Sequence, residues 1–229
     1  MQSATQSVDA AITSRHSIRA YLPTPVPRET VEAILDVAAR APSGSNTQPW
    51  LIHALAGAEL ERFCDIVQGA FLAGVQEKRE YQSYSDLVVE PYLSRRREVG
   101  WGLYARLGIG KGDRERTREQ HARNFRFFDA PVGMICTIDR RLAVGSWLDL
   151  GMFLQNVATA ARGRGLDTCF QAAFAGFPIT VRRTLGLPDE QAIVCGIALG
   201  HADPNAVENG LETKRVPARE FASFRGFAT

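Results

Sequence analysis

The sequence has 229 residues, of which 45% are hydrophobic and 23% are charged, and its formal net charge is +2. This length suits one sizeable α/β domain or at most two small ones, and the composition is that of a globular protein rather than a disordered or fibrous one. The net charge argues neither for nor against a nucleic-acid partner, and we expect none; no apolar run is long enough to span a bilayer.

The N-terminus lacks the charged-then-apolar pattern of a secretion signal. The four cysteines are far apart in the sequence and include no Cys-x-x-Cys pair. Cys136 and Cys195 lie in apolar runs and are expected to be small buried residues. We expect no disulfide framework, which fits a reducing compartment, and therefore a cytoplasmic protein.

The first polar cluster in the chain is formed by Arg15, Ser17 and Arg19. In an extended segment, residues at alternate positions present their side chains on one side. Two guanidinium groups and a hydroxyl suit a phosphate and an electron-rich ring edge. The alternative is an ordinary polar helix end with no ligand.

Residues 27–40 are predicted to form an amphipathic helix, because Val31, Ile34, Leu35 and Ala38 follow the i, i+3, i+4, i+7 spacing. A turn rich in Pro, Ser, Gly and Asn ends this helix, and its backbone amides can approach a planar ligand. The turn leads into a buried strand over 50–55, in which Trp50 is expected to belong to the core.

The alternating strands and helices that follow predict an α/β or α+β layered fold. Ser146, with Asp149 three residues later, resembles a capping box that opens a long helix. That helix is apolar nearly all round, so it is expected to be buried in the core or in a subunit interface. The remaining predicted elements are helices over 59–74 and near 177–186, and strands over 132–138, near 168–171 and over 192–199.

The segment 75–129 is predicted to be mostly helical and differs from the rest in charge. Residues 76–126 contain 12 Lys and Arg against 8 Asp and Glu. Such a segment can cover a site, and the alternative is a solvated helical excursion.

The motif Arg-x-Ser-x-Arg at 15–19, followed by Ala-Pro-Ser-x-x-Asn-x-Gln-Pro-Trp at 41–50, strongly resembles the FMN-dependent nitroreductase family. The order and spacing of several motifs make the resemblance specific, and it covers nearly the whole chain. The segment from Tyr92 to Pro131 is similar to the nitrobenzoate reductase-like branch. Further matching segments are 185–190, 196–201 and 214–217.

The resemblance implies a nitroreductase-like α+β fold with a central, mainly antiparallel sheet flanked by helices. It implies one domain over 1–229, with a helical excursion at about 75–129 and a C-terminal extension from about 205. It also implies an intertwined homodimer with FMN at the subunit interface.

The implied activity is two-electron, ping-pong reduction of a nitroaromatic or similar small aromatic acceptor, with NADH or NADPH as electron donor. The flavin N5 carries this chemistry, so no catalytic side chain is assigned. The alternatives are a quinone, alkene or halophenol reductase of the same superfamily and a non-catalytic flavin-binding protein.

By the same resemblance, Arg15 and Ser17 bind the phosphate and ribityl side of FMN. Arg19 lies near the N1/O2 ring edge, where a fixed guanidinium stabilises the negative charge of the reduced ring. The residues assigned to FMN are Arg15, His16, Ser17, Arg19, Pro42, Ser43, Gly44, Asn46, Gln48, Gln171, Ala172, Ala173 and Arg215.

Alternatives remain for part of this set. The 42–48 turn, contributed in part by the other subunit, is alternatively a simple helix stop. Residues 171–173, placed over the N5 face, are alternatively a small-residue contact between helix and sheet. Lys214 competes with Arg215 for the phosphate, although Arg215 is preferred.

His121, Asn124 and Phe128 are candidates for lining a substrate mouth, and a surface position is the alternative. No His, Cys, Asp or Glu spacing suggests a metal. The glycine-rich stretch 108–112 superficially resembles a phosphate loop, but it lacks the Lys-Ser/Thr ending and the incoming strand.

Overall fold

The structure, a computed structural model, describes residues 4–82 and 89–227. Four strands form its sheet: β1 (Leu51–Ala56), β2 (Val132–Asp139), β3 (Asp167–Gln171) and β4 (Gln191–Gly200). The helices are α1 (Ala4–Ser14), α2 (Arg28–Ala38), α3 (Gly57–Leu72), α4 (Tyr92–Arg106), α5 (Arg114–Ala122), α6 (Val144–Arg162), α7 (Pro178–Leu185) and α8 (Ala218–Phe221). Short 3₁₀ turns cover Gly44–Asn46, Arg123–Asp129, Ala172–Gly176 and Val207–Gly210.

The strands follow the order β1-β2-β4-β3, and every neighbouring pair is antiparallel. The register between β2 and β4 shifts after Cys136, which pairs with Cys195, because Thr137 pairs with Ile193. Helices pack on both faces of this sheet, so the predicted α+β fold with a central antiparallel sheet is confirmed.

Each face of the sheet carries its own hydrophobic core. On one face the rings of Phe63, Phe125, Phe127 and Phe174 pack together. Those rings lie close to the backbone, because a Cβ added at Gly133 would come within 2.5 Å of the Phe127 ring. The other face is covered by α2 and α6, with Ile34, Leu150, Phe153, Val157, Met134, Cys136 and Ile197 among its buried residues.

The long helix α6 has a buried face and an exposed apolar face. Leu150, Phe153 and Val157 are at most 2% exposed and pack in the core. Val144, Leu148 and Met152, at i, i+4 and i+8, are 77%, 68% and 40% exposed. We call these three residues the exposed stripe of α6. The predicted burial is therefore confirmed for one face only.

The predicted start of α6 is wrong. The helix begins at Val144 after the extended residue Ala143, and no side chain caps it. Ser146 consequently lies inside the first turns of the helix. Asp149 accepts a hydrogen bond from the backbone amide of Gly44 instead of closing a capping box.

The 75–129 segment is only partly helical. It contains α4, α5 and the turn Arg123–Asp129, whereas residues 75–82 form no helix. Residues 83–88 lie outside the described part of the chain.

The described cysteines are all buried free thiols, and Cys136 and Cys195 are 0% and 7% exposed, as predicted. Within residues 4–82 and 89–227, no three His, Cys, Asp or Glu side chains are grouped to hold a metal ion. No described helix combines the length and apolar character needed to cross a bilayer.

Glu80 joins the 75–82 segment to the sheet and to α7. Its carboxylate accepts hydrogen bonds from the Ile193 amide at 3.0 Å and from Arg140 at 2.8 Å, and it also contacts Arg182. Burial opposes ionisation, but these three donors outweigh it and hold the pKa of Glu80 below its ordinary value. Glu80 therefore stays ionised in the folded protein at neutral pH.

Replacing Glu80 by Gln is expected to lower the free energy of unfolding by about 2 kcal/mol, because charge-assisted hydrogen bonds are weakened. Since folding lowers the pKa, this contribution is present above pH 4.5 and is lost as the pH falls through the folded-state value. Urea unfolding at pH 7 and at successively lower pH measures both effects. Glu32→Gln, in an exposed pair with Arg28, is the control and should change stability by less than about 1 kcal/mol. If the Glu80→Gln variant were as stable as this control, the hydrogen bonds of Glu80 would not contribute to the stability of the fold.

Candidate functional site

The segment after α1 runs in an extended conformation beside β3. The amide of Ile18 donates to the Thr168 carbonyl at 3.2 Å, and Ser17 forms a parallel bridge with Thr168. Tyr21 continues the segment through an antiparallel bridge to Ala202. Ile18 is 1% exposed and fixes the segment in the core.

The polar side chains of this segment converge near Cys169 on β3. Burial raises the pKa of the Cys169 thiol, while the charges of Arg19 and Arg15 and hydrogen bonding by Ser17 partly oppose that rise. Arg15, Ser17 and Arg19 thus lie in one extended segment beside Cys169, and the Arg19 guanidinium donates to the Ser17 carbonyl at 3.2 Å. Two cations and a hydroxyl in one short segment can form a donor set for an anionic ligand, and that role stays a prediction.

His16 faces a different direction. Its ring nitrogens contact the Asn209 carbonyl at 2.9 Å and the Ser14 carbonyl at 3.1 Å. His16 also lines a cavity of about 520 Å³, together with Arg106, Arg162 and Asn209. Its place in the site is therefore beside the Arg15–Arg19 cluster rather than within it.

Asn209 holds the polar segment in place and was not found by sequence reasoning. Its side-chain oxygen accepts from the Arg19 amide at 2.7 Å, and its side-chain nitrogen donates to the Ala20 carbonyl at 2.8 Å. The residue is 9% exposed. Nothing in the local sequence indicates this role, because its partners lie about 190 positions away.

The turn at 42–48 has an unusual backbone. Ser45, Asn46 and Gln48 have positive φ values of 50°, 59° and 47°, a region that non-glycine residues seldom occupy. The Ser43 hydroxyl accepts from the Gln48 amide at 3.1 Å. Residues 44–48 are exposed, and Pro42 is exposed as well. The backbone and the small side chains of the turn are therefore accessible from solvent.

Trp50, directly after the turn, stacks on Phe153 with ring centroids 4.8 Å apart and planes 7° apart. It packs against the core of α2 and α6, as predicted.

The turn and the Arg15–Arg19 cluster lie at opposite ends of α6. Gly44 is held by Asp149, whereas Ser14 accepts from Arg162 at the far end of the helix. At 1.5 Å per residue, Asp149 and Arg162 are about 20 Å apart along the axis. In the described part of the chain, no hydrogen bond or ion pair joins the two groups. One subunit therefore does not bring the two predicted halves of the site together.

Gln171 is buried at the end of β3, and Ala172 and Ala173, which follow it, are half-buried. Gln171 is 2% exposed, and its side chain donates to the Asn124 carbonyl at 2.8 Å. Its side-chain oxygen Oε1 is buried and has no hydrogen-bond partner among the described residues, and the same holds for Thr168 Oγ1. Ala172 faces a cavity of about 750 Å³, together with Tyr81, Trp147, Phe170 and Leu154.

Lys214 and Arg215 differ in their partners. Lys214 forms an ion pair with Glu98 on α4 at 3.0 Å. Arg215 contacts the Thr213 hydroxyl at 2.7 Å, and among the described residues it pairs with no carboxylate. Both line a groove of about 860 Å³, and Arg106 lines this groove as well as the cavity beside His16.

The three candidate substrate residues do not line a common opening. Phe128 is 2% exposed and packs in the core, so the predicted position at a substrate mouth is wrong for this ring. Asn124 donates to the His121 carbonyl at 3.0 Å, and its own carbonyl accepts from Gln171. His121 is exposed, as the surface alternative has it, although its ring stacks on Phe71 with centroids 5.2 Å apart and partial desolvation there lowers its pKa.

Comparisons with known proteins all find similarity to nitroreductases. Residues 12–201 match the model of the nitroreductase family. The chain is 41% identical to a 4-nitrobenzoate reductase of Pseudomonas putida, covering 97% of both chains, and 40% identical to a nitrobenzene nitroreductase of Ectopseudomonas oleovorans, covering 95% and 96%. A solved structure of an FMN and NADPH-dependent nitroreductase, NfnB from Sphigopyxis sp. strain HMH, superposes with a TM-score of 0.91 at 36% identity, covering 96% of this chain and 99% of that one.

Proposed function

The chain belongs to the nitroreductase family, and we propose that it is an FMN-dependent oxidoreductase that uses NADH or NADPH to reduce nitroaromatic compounds. The observation that carries the proposal is the extended segment Arg15–Arg19 beside β3, in which Ser17 bridges Thr168 and the Arg19 guanidinium donates to the Ser17 carbonyl at 3.2 Å. The relatives named as nitrobenzoate and nitrobenzene reductases support the substrate class, and the NfnB structure supports FMN and NADPH.

The donor set fits FMN in its chemistry. Arg15 and Ser17 provide a charge-assisted donor and a hydroxyl for one phosphate. Arg215 has no carboxylate partner among the described residues, so its guanidinium is better suited to join them than Lys214, which pairs with Glu98. The small side chain of Ala172 leaves room for a flat ring in the cavity that it lines, whereas Ala173 packs against the core of phenylalanine rings.

FMN, when bound, would supply a ring that can take two electrons from NAD(P)H and pass them to the aromatic acceptor. The role that we propose for Arg19 is electrostatic. Its positive charge favours the more negative, reduced form of a nearby ring. The Arg19 amide is held by Asn209, which fixes where that charge lies.

The acceptor is proposed to bind in the 750 Å³ cavity beside Ala172. Tyr81 and Trp147 meet edge to face there, with centroids 4.6 Å apart, and Phe170 adds a third ring. This volume lies in the range of small-molecule pockets, and aromatic walls suit a planar, apolar ligand.

We further propose that the functional unit is a homodimer. The 42–48 turn and the Arg15–Arg19 cluster lie about 20 Å apart along α6 within one chain, so a turn from a second subunit can complete the site. The exposed stripe of α6 gives such a subunit an apolar surface to cover.

The proposed activity is tested by steady-state kinetics on the purified holoenzyme with NADH, NADPH and a panel of acceptors. The panel contains 4-nitrobenzoate, nitrobenzene, a quinone, an activated alkene and a halophenol. We expect nitroarene-dependent oxidation of one nicotinamide, with parallel double-reciprocal lines for a ping-pong cycle. Retention of FMN with no turnover of any acceptor would indicate a flavin-binding protein instead.

Replacing Arg19 by Gln is expected to lower the two-electron reduction potential of the bound flavin by about 30 mV, equivalent to about 1.4 kcal/mol. The reason is the loss of a positive charge that stabilises the reduced ring. A redox titration of the variant and the wild type measures the shift. Arg164→Gln, at an exposed position after α6, is the control and should leave the potential unchanged. An unchanged potential in Arg19→Gln would mean that Arg19 does not face the ring.

A further inference from the structure

One face of α6 holds the segment between α2 and β1 at three separate points. Asp149 accepts from the Gly44 amide at 3.0 Å, and Asn156 donates to the Ala38 carbonyl at 3.3 Å. Between them, Phe153 stacks on Trp50. The spacing i, i+4, i+7 places the three side chains in a row along the helix.

The three contacts differ in what they hold. Phe153 and Asn156 fix the two ends of the segment, at Trp50 and at the end of α2. Asp149 holds the middle, at the start of the turn Gly44–Asn46, and in the described part of the chain no other hydrogen bond joins residues 43–48 to the rest of the protein. Loss of the Asp149 contact therefore releases the turn without detaching its ends.

The turn depends on this contact because its own backbone is unfavourable. Each non-glycine residue in the left-handed region costs about 1 kcal/mol or more, and Ser45, Asn46 and Gln48 all have positive φ. Residues 44–48 are exposed, so burial contributes little to fix this conformation. Hydrogen bonds within the turn, such as the one from the Gln48 amide to the Ser43 hydroxyl, leave the turn unattached to the rest of the protein.

We propose that Asp149 is a positioning residue for cofactor binding: its carboxylate holds the Gly44 amide and thereby sets the 43–48 turn in the conformation that contacts FMN. This inference rests on the proposed function, in which that turn approaches the flavin. A turn that is already ordered does not have to lose conformational freedom when FMN binds, so the affinity is higher.

The test compares Asp149→Ala, Asp149→Asn and the control Gln155→Ala in the full-length holoenzyme. Gln155 lies on α6 and bonds only to Thr159 among the described residues, so its replacement leaves the turn untouched. Asn keeps a side-chain oxygen that can accept the same hydrogen bond. The rate of FMN release is followed by the recovery of flavin fluorescence on dilution.

We expect Asp149→Ala to release FMN about 10-fold faster than the wild type, a change equivalent to about 1.4 kcal/mol. Asp149→Asn should recover most of that loss, and Gln155→Ala should behave as the wild type. Equal release rates in Asp149→Ala and the wild type would overturn the inference. The same conclusion would follow if Asp149→Asn were as impaired as Asp149→Ala, or if the loss of FMN were matched by an equal loss of global stability in urea.

A second measurement separates this inference from the proposed function. Hydrogen exchange of the Gly44 amide in the FMN-free protein should be faster in Asp149→Ala than in the wild type, since the bond to Asp149 protects it. Unchanged exchange would overturn the inference even in an FMN enzyme. A wild-type protein that takes up no FMN would overturn the proposed function and the cofactor role of Asp149 together, whatever the exchange rate of Gly44.

Discussion

Replacing Arg15 by alanine is expected to weaken FMN binding by about one to two decades. A hydrogen bond to a charged group contributes about 1.5–3 kcal/mol, and 1.4 kcal/mol corresponds to a factor of ten in affinity. Arg15 lies with Ser17 in the extended segment beside β3, so its loss removes the charge-assisted donor that we assign to the phosphate. Ser17 and Arg215 remain, which is why binding is weakened rather than abolished.

Fluorescence titration of FMN with the FMN-free protein measures this effect. Arg28→Ala is a matched control, because Arg28 is an exposed arginine paired with Glu32 at the start of α2. Its affinity for FMN should equal that of the wild type. If Arg15→Ala bound FMN as tightly as Arg28→Ala, the phosphate would have to lie elsewhere, and the groove beside Arg215 would become the alternative position.

Replacing Leu148 by Asp is expected to convert the proposed dimer into monomers that have lost most of their FMN. Leu148 is 68% exposed at the centre of the exposed stripe of α6. Full burial of a leucine side chain contributes about 1.5–3 kcal/mol, and a twofold interface contains the residue twice. The dimer dissociation constant should therefore rise by about 100-fold or more.

Light scattering coupled to size-exclusion chromatography gives the mass, and the absorbance ratio of flavin to protein gives the FMN content. Ile66→Asp is the control, since Ile66 is a 38% exposed apolar residue on α3, away from the stripe. A wild type that is a stable, FMN-loaded monomer would contradict the dimer. A Leu148→Asp dimer with full FMN content would show that the interface lies elsewhere.

The elements that could be predicted from the sequence are those whose patterns lie within a few neighbouring residues. The i, i+3, i+4, i+7 spacing of Val31, Ile34, Leu35 and Ala38 predicts α2 to within a few residues. The apolar runs around Cys136 and Cys195 predict β2 and β4, and these thiols are buried as expected. The alternating pattern of Arg15, Ser17 and Arg19 depends only on extended backbone, which β3 supplies through Thr168.

The contacts that could not be predicted from the sequence join residues that are far apart in the chain. The carboxylate of Asp149 accepts a hydrogen bond from the amide of Gly44, which is 105 positions away in the chain. The local capping-box pattern therefore predicts the wrong role for Asp149. Asn209 holds the Arg19 amide across 190 positions and has no local signal. These contacts are set by the packing of α6 and of the 207–210 turn, which periodicity alone does not define.

The position of Phe128 could not be predicted from its neighbours in the sequence either. Its position shortly after His121 and Asn124 predicts a place at a substrate mouth, but Phe127 and Phe128 are buried, and Phe127, Phe128 and Asp129 all have positive φ. Glycines on the sheet make room for this arrangement, as at Gly133 under the Phe127 ring. A residue without a side chain in one strand thus decides the position of a ring in a distant segment.

The most direct test of the proposed activity is to follow the two half-reactions separately, by absorbance of the wild-type holoenzyme under anaerobic conditions. We expect one equivalent of NADH or NADPH per bound FMN to bleach the visible absorbance of the oxidised flavin, and subsequent addition of 4-nitrobenzoate or nitrobenzene to restore it within the turnover time. A flavin that is not bleached by either nicotinamide, or that is bleached but not reoxidised by any nitroarene, would contradict the account.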